Sequence, residues 1–470
     1  MTERLRQMAL PVAVGVLTLL SACGGGGERS LLPREGVRVV EAPVREGRPM
    51  PAAIAASDYS DSDFARTIRQ ATLDFPAVDG QRARSAGVEA RGRALRSGFR
   101  PQLTGGVTAG TSVLGDSSGE DTQLFVTARQ LVFDGAATRN RISLNEVEEL
   151  QVDAQTELLL SALALRAVRA TLDLWLQSEL LELARRDAAA HQLFVAQTSE
   201  RMEQGVATTS DVMVARSRLA DARVRLAQAE TGRATAEASY ASIIGPPPAE
   251  IALPPEPPLL ETATARARVG SGRQLALARL RITAAQAELE VVRAQRFPAV
   301  FVELTGRRGD VLSSDGDEDV FLGLSVDQNI FTAGRIGALE AEAASEVAAA
   351  RSTLGETRRE VTRALDIALA NRDAFPTRLA AAVSATAANE AGLAAAQELF
   401  AIGQRSFTDI LDAQRDLTQA ATREATLRAD GQAAAFEVLD LTGDLLDVIG
   451  LEGRLDPVTD VLGPPPEDAV

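Results

Sequence analysis

Hydrophobic and polar residues alternate with period two in four short stretches of the chain. Helical spacing dominates nearly everywhere else. In the first stretch Leu103, Gly105, Val107 and Ala109 alternate with Thr104, Gly106, Thr108 and Gly110. After a polar loop around Gly115–Asp121, a returning stretch sets Leu124, Val126 and Ala128 against Thr127 and Arg129. The second pair repeats the design. Val300, Val302 and Leu304 oppose Phe301, Glu303 and Thr305; then, past a loop at Gly306–Asp319, Val320, Leu322, Leu324 and Val326 oppose Gly323, Ser325 and Asp327. Helices at about 79–98 and 272–296 lead into these pairs and stop at Phe99-Arg100-Pro101 and Phe297-Pro298, because proline cannot continue a helix interior. Long helical patterns follow at 135–201 and 333–400, each on the order of 100 Å at 1.5 Å per residue. In the second, Val347, Leu354, Val361 and Ala368 recur at heptad steps, as in a coiled coil. Pro376 interrupts that pattern and predicts a kink.

The two long patterns end alike. Gly205 and Gly403, 198 residues apart, each permit the left-handed conformation that closes a helix. Three residues on, Thr208 and Ser406 are placed to cap the returning helices, 209–243 and 407–447, with Asp211 and Asp409 at N3. Each segment therefore reads as the tip of a helical hairpin, and the chain as a tandem duplication. The expected fold class is mainly α with β: long α-helical hairpins plus four β-strands. The first repeat covers 61–244, with its strand pair at 99–133 and hairpin at 135–243. A Pro-rich linker spans 245–271. The second repeat covers 272–450, with strands at 297–331 and a hairpin at 333–447, before a tail at 451–470.

Composition narrows the functions. Acidic residues number 65 against 49 basic ones, all Arg, for a formal charge of −16, which argues against nucleic acid as a partner. One His (His191) and one Cys (Cys23) exclude a disulfide, a Cys-rich metal site and a Cys/His catalytic pair. His191 reads as a surface or packed helix residue rather than a ligand. No nucleophile, base and orienting group come together, so no catalytic residue, cofactor or metal is expected, and the chain does not read as an enzyme.

At the N-terminus, Arg4 and Arg6 precede an apolar run too short to span a bilayer, and the run ends in Leu20-Ser21-Ala22-Cys23-Gly24. Residues 1–22 thus resemble a bacterial lipoprotein signal, with Cys23 lipidated (palmitate) as the first residue of an extended leader, 23–60. A signal peptide with a chance Cys is the alternative. The lack of Asp after Cys23 favours, by the same resemblance, the outer membrane of a Gram-negative bacterium.

An apolar face opposite a small or polar one is the pattern of a transmembrane β-barrel, and a soluble hairpin packed on a core is the competing reading. Seven of the 14 Phe (Phe99, Phe125, Phe133, Phe297, Phe301, Phe321, Phe331) fall on or beside these strands, where aromatic girdles at the membrane interfaces would put them. Four strands cannot close a barrel, and open edges are not tolerated in hydrocarbon. A membrane setting then requires further copies of the chain.

The order of these parts, with the constant 198-residue offset, resembles the TolC-type outer-membrane efflux duct family over roughly residues 60–450. The resemblance implies a homotrimer in which three chains of four strands form a 12-stranded β-barrel and the helices a periplasmic α-barrel. The implied function is the passive exit duct of a tripartite efflux system, docked on a periplasmic adaptor and an inner-membrane pump. The duct of a type I protein-secretion system is the alternative within the fold; a non-channel coiled-coil surface lipoprotein is the alternative outside it. The family's gate motif maps onto Gly403, Arg405, Asp409 and Asp412, so these acids would ring the periplasmic mouth. Arg405 would latch to Ser210 or Asp211 of the first hairpin. Phe400 stands where some relatives carry an aromatic hydroxyl. Without the resemblance, Asp409 reads as an N3 helix residue, like Asp211, and Asp412 as an exposed acid.

Overall fold

The computed structural model describes Val39, Pro51, Ile54 and residues 58–111, 120–309 and 318–451. The signal, Cys23, most of the leader, the tips of both strand-connecting loops and the tail beyond Leu451 lie outside the described residues. Two α-helices come first among the described elements of this length: α1 (Asp63–Leu73), capped by the Ser62 hydroxyl accepting from the Ala65 N–H at 3.1 Å, and α2 (Pro76–Ser97), with Pro76 where its missing N–H costs nothing. Strands β1 (Gln102–Thr111) and β2 (Glu120–Phe133) follow, then the long helix α3 (Ala137–Glu203) and its return α4 (Thr209–Ile243). After the linker come α5 (Thr262–Arg268), α6 (Arg273–Ala294), β3 (Ala299–Arg308) and β4 (Glu318–Asp327). The second long helix α7 (Arg335–Ala401), its return α8 (Phe407–Thr442) and the short α9 (Leu445–Val448) complete the chain. Both α3 and α7 are 67 residues long and begin 198 residues apart, so the duplication is kept element by element.

All four strands join one antiparallel sheet in the order β1-β2-β3-β4, leaving β1 and β4 as its edges. The pairing Leu103↔Ala128, Ala128↔Leu304 and Leu304↔Leu322 aligns one row of apolar side chains across the sheet; Thr104↔Thr127 and Thr127↔Thr305 align the opposite, polar row. The apolar row is uncovered: Leu103, Val107, Val320, Leu322 and Leu324 are all at least 65% exposed. On the polar face Arg129 bridges Glu303 at 2.8 Å and Asp327 at 2.7 Å, with its guanidinium 3.7 Å over the Phe301 ring, while Thr127 and Thr305 share a 3.1 Å hydrogen bond.

Three features depart from the sequence reading. Strands β3 and β4 run deeper into the expected loop at Gly306–Asp319, because Arg308 and Glu318 pair across them at 3.3 Å and Arg307 stands opposite Asp319. The last long helix stops at Thr442 rather than near 447, where left-handed Gly443 turns the chain and buried Asp444 is held by Arg268. Phe125, Phe301 and Phe321 share the polar face with Thr127 and Thr305, so they do not belong to a girdle on the apolar face. Their place is set by space: the rings of Phe125 and Phe321 lie over Gly106 and Gly323, where any Cβ would collide with them.

In the helical body, α3 packs against α4, α6 and α8, and α7 against α6 and α8. The central core gathers Leu160, Ala164 and Val168 of α3, Leu365 and Leu369 of α7, and Phe436 and Leu439 of α8 with Ile68 of α1. Each of these side chains other than Ala164 contributes about 1.5–3 kcal/mol when fully buried. The heptad positions Val347, Val361 and Ala368 are buried, which gives the coiled-coil seam its partner. Outward flanks of α4 and α7 keep Met213, Val224 and Ile367 more than half exposed. Helix α7 continues through Pro376. Among the described residues no helix is long and apolar enough to cross a membrane.

Candidate functional site at the hairpin tips

Both tips are built the same way. Gly205 (φ +75°) and Gly403 (φ +77°) occupy the left-handed region, with Gly205 N–H bonded to the Met202 carbonyl at 2.9 Å and Gly403 N–H to that of Phe400 at 3.0 Å. Capping boxes start the return helices. The Asp211 N–H donates to the Thr208 hydroxyl at 3.2 Å while the Thr208 N–H donates to the Asp211 carboxylate at 2.9 Å; Ser406 and Asp409 repeat the pair at 3.2 and 3.0 Å. Hydrogen bonds from the Ser406 side chain and backbone lower the Asp409 pKa, and those from Thr208, backbone first, lower that of Asp211. Both carboxylates are therefore anionic well into the acid range.

Asp409 and Asp412 lie on one face of the first turns of α8, yet their surroundings differ. Asp409 is folded back into its capping box, whereas Asp412 points outward beside Arg415 at 3.4 Å. Arg405 pairs with Asp409 of its own tip at 3.8 Å, and among the described residues it forms no ion pair with Asp211. Ser210 is exposed next to Asp211 on the first tip.

The hairpins meet through contacts the sequence alone did not reveal. The guanidinium of Arg201 on α3 lies 4.3 Å over the ring of Phe400 on α7, and Phe407 stands against both Phe400 (6.0 Å) and Phe194 (6.2 Å). Farther from the tip, Asp187 on α3 is almost wholly buried. It accepts from Arg225 of α4 at 2.7 Å and from Thr418 and Gln414 of α8 at 3.1 and 3.4 Å. His191, one turn on, is packed, with its Nε2 3.5 Å from Asp187 and its ring edge-on to Phe194. Burial lowers its pKa against the pull of Asp187, so the ring is neutral at pH 7. Partners 38, 227 and 231 residues away carry no local signature. A lone Asp in an Ala-rich helical run was the only available hint.

The family described as outer membrane efflux protein matches residues 67–246 and 268–444. The chain belongs to that family. Its members are outer-membrane channels, so this chain's place is the Gram-negative outer membrane and its class of work is efflux. The apolar face of the sheet thereby finds lipid as its solvent. The chain is 26% identical over 383 residues to the outer membrane efflux protein BepC of Brucella suis biovar 1 (strain 1330), covering 76% of this chain and 80% of that protein. Its fold matches the outer membrane protein VceC of Vibrio cholerae with a TM-score of 0.72 at 17% identity, over 84% of this chain and 99% of that one. The CmeC outer membrane channel of Campylobacter jejuni matches with a TM-score of 0.75 at 12% identity, over 89% and 97%. Among the described residues no group of three or more His, Cys, Asp or Glu side chains is placed to hold a metal ion.

Proposed function

We propose that the protein is the passive, homotrimeric exit duct of a tripartite efflux system, carrying drugs or other solutes without catalysing a reaction. One observation carries the reading: a four-stranded sheet, apolar on one face and charged on the other, with two free edges. Unpaired backbone groups cost several kcal/mol each in hydrocarbon, so β4 of one copy must pair with β1 of the next. Three copies give 12 strands, enough to enclose the Arg129–Glu303–Asp327 face around water. The uncovered flanks of α4 and α7 meet in the same assembly and extend the duct as an α-barrel into the periplasm, where it docks on an adaptor and an inner-membrane pump. Cys23, lipidated, anchors the leader in the outer membrane. The two repeats, 61–244 and 272–450, each supply one strand pair and one hairpin.

At the periplasmic mouth, Asp412 and Asp409 from three subunits form acidic rings that attract cations and narrow the opening. Arg405 closes the mouth by reaching Ser210 or Asp211 across a subunit boundary, a pairing its exposed position beside Asp409 leaves it free to adopt. Planar-bilayer recordings test the reading. The protein should give trimer-sized currents that polyvalent cations block from the periplasmic side. Asp412→Ala with Asp409→Ala should widen conductance and relieve that block; a protein giving no current, or unchanged block in the double variant, overturns the duct or the gate respectively.

A further inference from the structure

We propose that the cavity beside Pro376 is a binding site for lipophilic cations, independent of the duct reading and of the hairpin tips. The cavity, about 670 Å³, lies between α7, α8 and the linker residues Glu256–Leu259, and its size falls within the range of small-molecule sites. Its walls are chiefly apolar, from Leu259, Phe375, Leu379 and Val383. Gly431 on α8 is what admits the Phe375 ring, since a Cβ there would collide with it.

The charges around the cavity are unbalanced in one direction. Arg372, at its inner wall, is 9% exposed and fully engaged. It donates to the Leu260 carbonyl at 2.6 Å and to the Thr262 hydroxyl at 2.8 Å, and Asp373 neutralises it at 2.6 Å. Glu256 is exposed and, among the described residues, has no ion pair, so the site carries one uncompensated carboxylate. Pro376, on the same wall, cannot give the Arg372 carbonyl its helical N–H. Gln432, 5% exposed, adds to the acceptor-rich side: its amide donates to the Pro254 carbonyl at 2.8 Å and its Oε1 has no partner. An aromatic face, an apolar volume and a free carboxylate together select a flat or branched apolar molecule with a delocalised positive charge. An anion of the same size meets the uncompensated Glu256 carboxylate and is disfavoured.

The test uses the full-length, lipidated protein in lipid nanodiscs, with rhodamine 6G as the cationic probe, 1-anilinonaphthalene-8-sulfonate as the anionic one, and empty nanodiscs as baseline. Fluorescence anisotropy should show saturable rhodamine 6G binding and none of the anion. Glu256→Gln should weaken rhodamine binding about five-fold, as expected for a half-solvated charge contact. Val383→Trp should abolish it by filling the cavity from a position 40% exposed, where the larger ring leaves the fold intact. Equal binding of both probes, unchanged binding in Val383→Trp, or no saturable binding to the assembled protein each overturns the site; the last result would mean that a neighbouring subunit fills the cavity. Bilayer currents recorded on the same preparations separate the two proposals, because loss of probe binding with currents intact removes only this site.

Discussion

Asp187→Ala is the substitution that most sharply probes how the two hairpins are held together. Asp187 is 1% exposed and receives donors from both α4 and α8, so its removal strips the shared acceptor from three donors on two helices at once. Arg225 is 47% exposed and regains water, so its share of the loss is small. Gln414 is buried and Thr418 half-buried against α3, and hydrogen bonds to a charged group are worth about 1.5–3 kcal/mol each. Thr418 keeps its bond to the Gln414 carbonyl at 3.0 Å, and the bonds are not additive, which brings the expected loss to about 3 kcal/mol. That energy falls on the docking of α8 against the first hairpin. Amide hydrogen exchange by mass spectrometry over residues 408–420 should then accelerate roughly 100-fold, with peptides from the sheet unchanged. Arg225→Ala leaves the buried Asp187 carboxylate without its guanidinium partner and should accelerate the same peptides by a comparable factor. Equal protection in wild type and Asp187→Ala would refute the clasp.

Burial of neutral His191 makes a pH prediction with a definite sign. Its folded pKa lies below the ordinary value near 6.5, so unfolding takes up a proton and stability is lost as pH falls below about 6.5. Thermal unfolding at pH 7.5 and 5.5 should show that loss, and His191→Gln should diminish it. At the tips, Arg201→Ala removes the guanidinium over Phe400, worth about 1 kcal/mol at a half-buried site, and should raise uptake of large antibiotics; unchanged uptake would leave the pair without a role in closure. In the sheet, Gly323→Val places a branched side chain under the Phe321 ring and should lower the melting temperature of the assembly in detergent. Gly110→Val, where the space is open, serves as the control.

Periodicity alone made the plan of the fold legible. Alternating Val320, Leu322, Leu324 and Val326 implied a two-faced strand, and the echo of Gly205 at Gly403 implied two hairpins of one design. Elements without a periodic signature were lost. The helix Thr262–Arg268 is too short to show a face within the Pro-rich linker, although it buries Ala265 in the central core. Phe125, Phe301 and Phe321 misled because proximity to a strand end says nothing of which face a side chain takes; the glycines beneath Phe125 and Phe321 leave room for their rings on the polar face. At the tip, the capping roles of Asp211 and Asp409 were readable from spacing, as local hydrogen bonds are. The Asp187 cluster and the Arg201–Phe400 contact join distant segments, and nothing local announces them.

The account depends most on the free edges of the sheet, and cross-linking between copies tests them directly. A cysteine at Thr104 on β1 is combined, one at a time, with a cysteine at Ser325 or Asp327 on the same polar face of β4, in protein extracted from outer membranes. At least one pairing should oxidise to a ladder of covalent dimer and trimer and stop there, as closure of a ring requires. Protein that stays monomeric in every combination, and remains in solution when detergent is withdrawn, would contradict a barrel assembled from shared strands.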